Sequence, residues 1–187
     1  MPHQQFLDAG RDAWKKYLAL TYYAQTHRGR LPANPAAPPS LESQVLDSNW
    51  RRVTANGYDF QIDALSRTRK IYGLLAITLS PVRSRTNQAR AGVPDRRAGD
   101  DGGHYIAARF NGPRASFNHF AQNANFNRGE YRLLEDGWAR DLRAGRKVVV
   151  DIVPHYSGLS QRPDNTFITW YIDGKKRSKS FPNEATK

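Results

Sequence analysis

The run Asp100-Asp101-Gly102-Gly103-His104 and the run from Asn127 to Glu135 carry the residue types that hydrolysis of a phosphodiester requires. That reaction needs an activated water, a counter-charge for the pentacoordinate phosphate and help for the leaving oxygen. A histidine titrates near neutral pH, so His104 can take the proton from water. The glycine pair before it reads as a tight turn that lets a bulky substrate come close, with Asp101 orienting that turn. A hard cation such as Mg²⁺ prefers oxygen ligands and keeps several waters. The amide oxygen of Asn127 can anchor such an ion without quenching its charge. Glu135 follows eight positions later. On an evenly wound α-helix that is a rotation of about 80° and about 12 Å along the axis. The carboxylate is then better placed to hold metal-bound waters than to ligate the ion beside Asn127.

Other readings of these residues stay open. His119 is a second candidate base. Asn127 also suits a helix N-cap, and Glu135 suits a solvated ion pair with Arg128 or Arg132. Asn123 and Asn125 are lesser candidates for the ligand.

The elements that must position these groups follow from patterning. Phe6 to His27 repeats apolar residues at three and four and reads as a helix; the proline-rich stretch from Leu31 to Ser40 reads as a linker. Residues 1–45 are therefore expected to be a helical extension and residues 46–187 the main domain. Tyr58, Phe60 and Ile62 alternate with polar residues, which predicts a strand, and Ile71 to Leu79 predicts a central one. Ala64 to Lys70 reads as a turn, Ser80 to Gly103 as a long surface loop, Tyr105 to Phe110 as a short strand and Asn111 to Asn125 as irregular. A helix is expected from about Phe126 to Ala144, stopped by Gly145. Val148 to Val153, ended by Pro154, and Phe167 to Ile172 predict two strands, the second turning at Asp173-Gly174. The fold class is α+β, an antiparallel sheet with helices packed against it.

Lys and Arg number 29 against 17 acidic residues, a formal net charge of +12. Such a surface attracts polyanions, and the basic stretch Lys175-Lys176-Arg177 after the turn suits phosphate contacts. There is no cysteine, so neither disulfides nor a thiolate zinc site hold this fold. No apolar run reaches the roughly 18 residues of a membrane span, and the N-terminus lacks the order of a signal peptide.

Asp101-Gly-Gly-His104, Asn118-x-x-x-Gln122 and Asn127-x-Gly129-x-Tyr131-x-x-x-Glu135 together resemble the DNA/RNA non-specific endonucleases, which have a ββα-metal (His-Me finger) core. The wider run from Arg97 to Asn127, with Val-x-Ile-x-Pro-x-Tyr-x-Gly at Val150 to Gly158, is similar to the branch found as toxin domains of bacterial polymorphic toxins. The likeness extends from about Trp50 to Asn183. It implies that His104 is the general base and that Asn127 is the direct protein ligand of one Mg²⁺, with Mn²⁺ able to substitute. Glu135 then organises the waters, Asp101 supports the catalytic set, and Asn118 and Gln122 contact the substrate or brace the site. DNA, and RNA as a second substrate, are cut to 5′-phosphate ends. One departure matters. Many relatives carry arginine where this chain has Gly102, so the arginine that meets the transition state comes from elsewhere. Arg83, Arg85, Arg96, Arg97 and Arg109 are the candidates; Arg97 is placed in the catalytic set, and Arg83, Arg85 and Arg109 with Lys175 and Lys176 on the substrate. The resemblance also implies an acidic immunity protein as partner, no membrane contact, and a bacterial effector exported without a classical signal peptide to act in a target-cell cytoplasm.

Overall fold

The computed structural model describes residues 50–185; the readings of a helix from Phe6 and of the proline-rich linker lie outside them. Six antiparallel strands form one sheet in the order β1 (Arg51–Ala55), β2 (Tyr58–Ile62), β3 (Thr68–Leu74), β6 (Val148–His155), β7 (Asn165–Ile172) and β8 (Lys175–Pro182). A separate hairpin pairs β4 (Asp100–His104) with β5 (His119–Asn123). A short helix, α1 (Arg85–Arg90), precedes the hairpin, and a long helical segment follows it. That segment has three parts: α2 (Ala124–Phe126), a wider π turn over Asn127–Tyr131, and α3 (Arg132–Arg143).

Alternation along the strands builds the core. Phe60, Ile71, Ile152 and Ile168 face one another across four neighbouring strands, each at 0% exposure. Tyr105, Phe110, Phe120, Phe126, Tyr131 and Trp138, from the hairpin and the helical segment, close over this row in a single hydrophobic cluster. Burying each such side chain contributes about 1.5–3 kcal/mol. The sheet is thus a platform on which the hairpin and α3 rest, and the α+β expectation holds.

Several local expectations need correction. The segment from Asp100 to His104 is a strand, not the end of a loop, and Ser80 to Gly103 also contains α1. Aspartate and glycine are poor strand formers, but full pairing with β5 overrides propensity. Asn111 to Asn125 holds β5 itself, while Tyr105 to Phe110 is a bend leading into a 3-10 turn. The strand expected from Ile71 begins earlier, at Thr68, and ends at Leu74. β6 runs through Pro154 to His155. The β3 ladder has already ended at Ile152, so a residue without an N–H is tolerated there. The helix stop at Gly145 (φ +76°) and the hairpin turn at Asp173 (φ +48°) and Gly174 (φ +83°) are as expected.

The two glycines of the hairpin serve packing rather than a turn. A Cβ on Gly102 would lie 2.2 Å from the carbonyl oxygen of Gln88 in α1, and one on Gly103 would lie 2.0 Å from Oε1 of Gln122. The backbone of α1 therefore seats directly on β4. Gly102→Ala should push α1 off the strand and cost about 1–3 kcal/mol, as overpacking does; urea unfolding measures it.

Candidate active site

β4 ends on His104, opposite His119 on β5. The ring centroids are 4.6 Å apart, and His119 is anchored by its Nδ1 on the Ala115 carbonyl at 2.9 Å. Neither ring nitrogen of His104 has a hydrogen-bond partner among the described residues. Burial, with His119 and Arg83 nearby, pushes its pKa down to about 4. His104 is therefore neutral at physiological pH and holds a lone pair ready for a proton.

Asn127 lies one turn into the helical segment. The cap role falls instead to Asn123, whose Oδ1 accepts from the backbone N–H of Asn125 and Phe126. The Asn127 amide donates from Nδ2 to Oδ2 of Asp101 at 2.9 Å. Only the NH₂ end of an amide can donate to a carboxylate, so this bond fixes which way the amide faces and leaves Oδ1 without a donor. Asp101 is held in turn by Arg128, from Nε at 2.9 Å and Nη2 at 2.8 Å. Those bonds keep its carboxyl below the ordinary range against the effect of burial, so it stays an acceptor. Asp101 thus orients the amide rather than a turn.

Glu135 reaches the same cleft as Asn127, and the winding between them brings the two closer in phase than an even helix would. The π turn absorbs one extra residue, so eight positions turn like seven α-helical ones and leave a phase difference of about 20°. Arg109 holds the Glu135 carboxylate at 3.2 Å and that of Asp136 at 2.6 Å. Burial nevertheless pushes Glu135 up to about 7.

His104, Asn127, Glu135, Arg83 and Arg109 all line one cleft of about 440 Å³, together with Gly102 and Gln88. Other residues singled out from the sequence do not reach it. Asn118 is fully buried: its Oδ1 accepts from the Ile106 N–H, and its Nδ2 donates to the carbonyls of Ile106 and Pro113. It closes the 105–118 loop and cannot touch a substrate. Gln122 is equally buried, beneath Gly103, with no partner for its amide among the described residues. Arg97 pairs with Glu184 at 2.8 Å, at the far end of β4. Arg96 donates to the carbonyls of Gln88 and Asp100, tying α1 to the strand. Arg85 is exposed on α1 and does not line the cleft. Lys175 and Lys176 follow a turn that pairs with Lys147 beyond the end of α3, about 18 Å of helix away from its start.

Two contributors, Arg162 and Asp136, escaped the sequence reading, and a third had another partner there: Arg128, read beside Arg132 as a candidate ion-pair partner of Glu135, holds Asp101 instead, while Glu135 pairs with Arg109. Arg162, 4% exposed, makes a two-pronged ion pair with Asp100 at 2.8 and 2.9 Å; nothing in its own surroundings signals that partner, 62 residues away. Asp136 shares Arg109 with Glu135.

The depressed His104 pKa makes stability depend on pH. An unfolded histidine protonates near 6.5, whereas folded His104 resists until about 4. Between those values the unfolded chain binds more protons, so this contribution is full above about 6.5 and lost as pH falls through about 4. Glu135 has the opposite sign: its contribution is full below about 4.3 and lost as pH rises through about 7. Melting curves across this range should show a smaller acid loss in His104→Leu than in the wild type. Parallel curves would place the titration elsewhere.

A two-stranded hairpin bearing a histidine, followed by a helix bearing an asparagine, with both lining one arginine-rich cleft, is the architecture of a ββα-metal nuclease core. The chain belongs to the DNA/RNA non-specific endonuclease family, whose model matches residues 48–174. Type VII secretion system protein EssD of Staphylococcus aureus (strain USA300) is 29% identical over 150 residues, 77% of this chain and 24% of that protein. The chain therefore spans about a quarter of the length of the curated relatives it matches. Among solved structures, NucA from Streptococcus agalactiae with magnesium bound superposes with a TM-score of 0.50 at 15% identity, covering 74% of this chain and 86% of that one. Sda1 nuclease with bound zinc gives 0.53 at 13% identity, covering 72% and 76%. These likenesses place the fold. No helix among the described residues is long and apolar enough to cross a membrane.

Proposed function

We propose that this chain is an endonuclease that hydrolyses DNA, and RNA as a second substrate, without sequence preference, using one divalent cation. The observation that carries the reading is the Asn127 amide: its NH₂ end is pinned by Asp101, which leaves its carbonyl oxygen unshared on a residue that lines the same cleft as His104.

The donor set suits a hard ion that keeps most of its waters. No cluster of three or more His, Cys, Asp or Glu side chains able to hold a metal occurs among the described residues. Asn127 would be the direct ligand, and Glu135, held by Arg109, would hydrogen-bond to waters around it. Mg²⁺ there supplies Lewis-acid stabilisation of the phosphate and the leaving oxygen, and Mn²⁺ is able to replace it. His104 accepts a proton from water as the water oxygen attacks phosphorus. The bond from phosphorus to the 3′ oxygen then breaks, that oxygen leaves with the electron pair, and the product carries a 5′ phosphate. Lys175 and Lys176 bind flanking backbone, which adds affinity and salt dependence without sequence preference.

The match to a type VII secretion protein supports a bacterial secreted effector active in a target-cell cytoplasm. Residues 1–45 are then an extension ahead of the nuclease domain. A producing cell needs protection, and an immunity protein with an acidic contact face would complement the +12 charge.

Digestion of plasmid DNA by the purified chain, with Mg²⁺ and with EDTA, tests this. Cutting only with Mg²⁺ and 5′-phosphate ends are expected. Cutting that survives EDTA, cyclic phosphate ends on RNA, or binding without cutting would each sink the proposal.

A further inference from the structure

We propose that Leu79, on an apolar loop beside the cleft, presses its side chain against a base step of duplex DNA next to the scissile phosphate, so that the enzyme responds to how easily neighbouring bases part. This rests on the nuclease reading above and names duplex DNA, rather than a single strand, as the preferred form of its substrate.

The loop joins β3 to α1, and its composition is unlike the rest of a strongly basic surface. Of the eight large hydrophobic residues exposed in the described structure, Leu74, Ile77, Leu79 and Val82 fall within nine positions of one another. They therefore form a local patch rather than a scatter, and clustered exposed apolar groups mark a contact surface. Leu79 is 98% exposed, the most of any of them. A leucine left in water forgoes the whole gain that burial offers.

The loop is anchored on both sides of this side chain. Leu75 is buried and its N–H donates to the Val148 carbonyl at 2.8 Å, after which the chain leaves the sheet. Thr78 is then held by its N–H on the carbonyl of Arg109, a residue of the cleft wall, at 2.9 Å. The Ser80 N–H donates to Thr78 Oγ1 at 3.3 Å, and Pro81, with its fixed φ, lines the cleft itself. Leu79 thus stands between two fixed points of the wall, its Cα no more than about 7.6 Å from that of Pro81. A tip held in this way reaches a ligand with little ordering cost.

The neighbouring charge selects the occupant. Arg83, Arg109, Arg128 and Arg132 line the cleft and draw a phosphodiester backbone into it. A strand whose phosphate enters among them carries its bases toward the rim, where Leu79 projects. An apolar side chain pressed on a base step partly unstacks it, and the deformation is easiest at pyrimidine–purine steps. The result is a bias among steps without contact to base edges. A single strand has no paired step to open.

Leu79→Ala and Leu79→Met test this. Burying a leucine side chain against the bases is worth about tenfold in affinity. The ratio of duplex to single-strand kcat/KM should therefore fall about tenfold in Leu79→Ala and largely recover in Leu79→Met, which keeps the volume. Wild-type cuts in a mixed-sequence duplex should concentrate beside TA, CA and TG steps, and those of Leu79→Ala should spread evenly. In the His104→Ala background with Ca²⁺, a duplex carrying 2-aminopurine in place of adenine at its TA steps should brighten on binding, and adding Leu79→Ala should remove the rise. Leu79 is almost wholly exposed, so melting temperatures should match the wild type. A wild-type preference for single strands, a duplex preference and cut pattern that Leu79→Ala leaves unchanged, or no rise of 2-aminopurine fluorescence overturns the assignment while leaving the nuclease reading intact. A loop that serves a protein partner instead would give that outcome. A wild-type chain that cuts nothing overturns both.

Discussion

His104→Ala should cut DNA about 10²–10⁴-fold more slowly than the wild type while binding duplex DNA as before. The separation follows from the geometry. The His104 ring makes no hydrogen bond among the described residues, so its loss breaks no network, and the arginines that meet phosphate stand on other elements. What disappears is the lone pair that burial keeps available at neutral pH. Single-turnover cleavage gives the rate, and filter binding in Ca²⁺ gives the affinity. A variant that cuts at the wild-type rate would move the base elsewhere, with His119 next to be tried. His119 lies against the same ring, but it is 7% exposed and its Nδ1 is committed to Ala115.

Arg162→Ala should destabilise the fold by about 3–5 kcal/mol, the cost of stripping the partner from a buried charge. Asp100 is buried beside it, and although burial alone would raise its pKa, the bonds from Arg162 and the Arg97 backbone keep the carboxyl below the ordinary range. Arg162 also donates to the Asn183 carbonyl at 2.7 Å, joining the C-terminal segment to β4. A carboxyl whose folded pKa is depressed stabilises above its unfolded pKa and loses that contribution as pH falls. The deficit of Arg162→Ala should therefore shrink in acid, where Asp100 can protonate. Urea unfolding at pH 7 and pH 4 measures both. A deficit below about 1 kcal/mol would mean that the pair is no anchor, as is usual of exposed pairs.

The chemistry was more legible in this chain than its scaffold. His104, Asn127 and Glu135 stand out because each residue type suits one task and the spacings accompany a recognisable motif. β2, β7 and the Asp173-Gly174 hairpin were legible from alternation and turn chemistry, which are local. β4 was not, because two aspartates and two glycines become a strand only when β5 pairs with them. Asn118 and Gln122 were read as contacting the substrate or bracing the site, with the choice left open because an amide has the same letter whether it meets a ligand or a buried carbonyl. Only packing tells the two apart. Arg162 was invisible for the reason long-range ion pairs usually are: neither partner's neighbours in the chain mention the other.

The π turn has one more consequence. Because it inserts a residue between the amide and the acid, the distance along the chain that brings these two groups into phase is not the one an evenly coiled rod would use. A protein with the same site on a uniformly wound cylinder would need its acid seven places after its amide, where this chain has eight. Spacing in a motif is thus a record of local winding as much as of chemistry, and transplanting the eight-residue pattern onto a straight helix would carry the letters with the two groups about 80° out of phase.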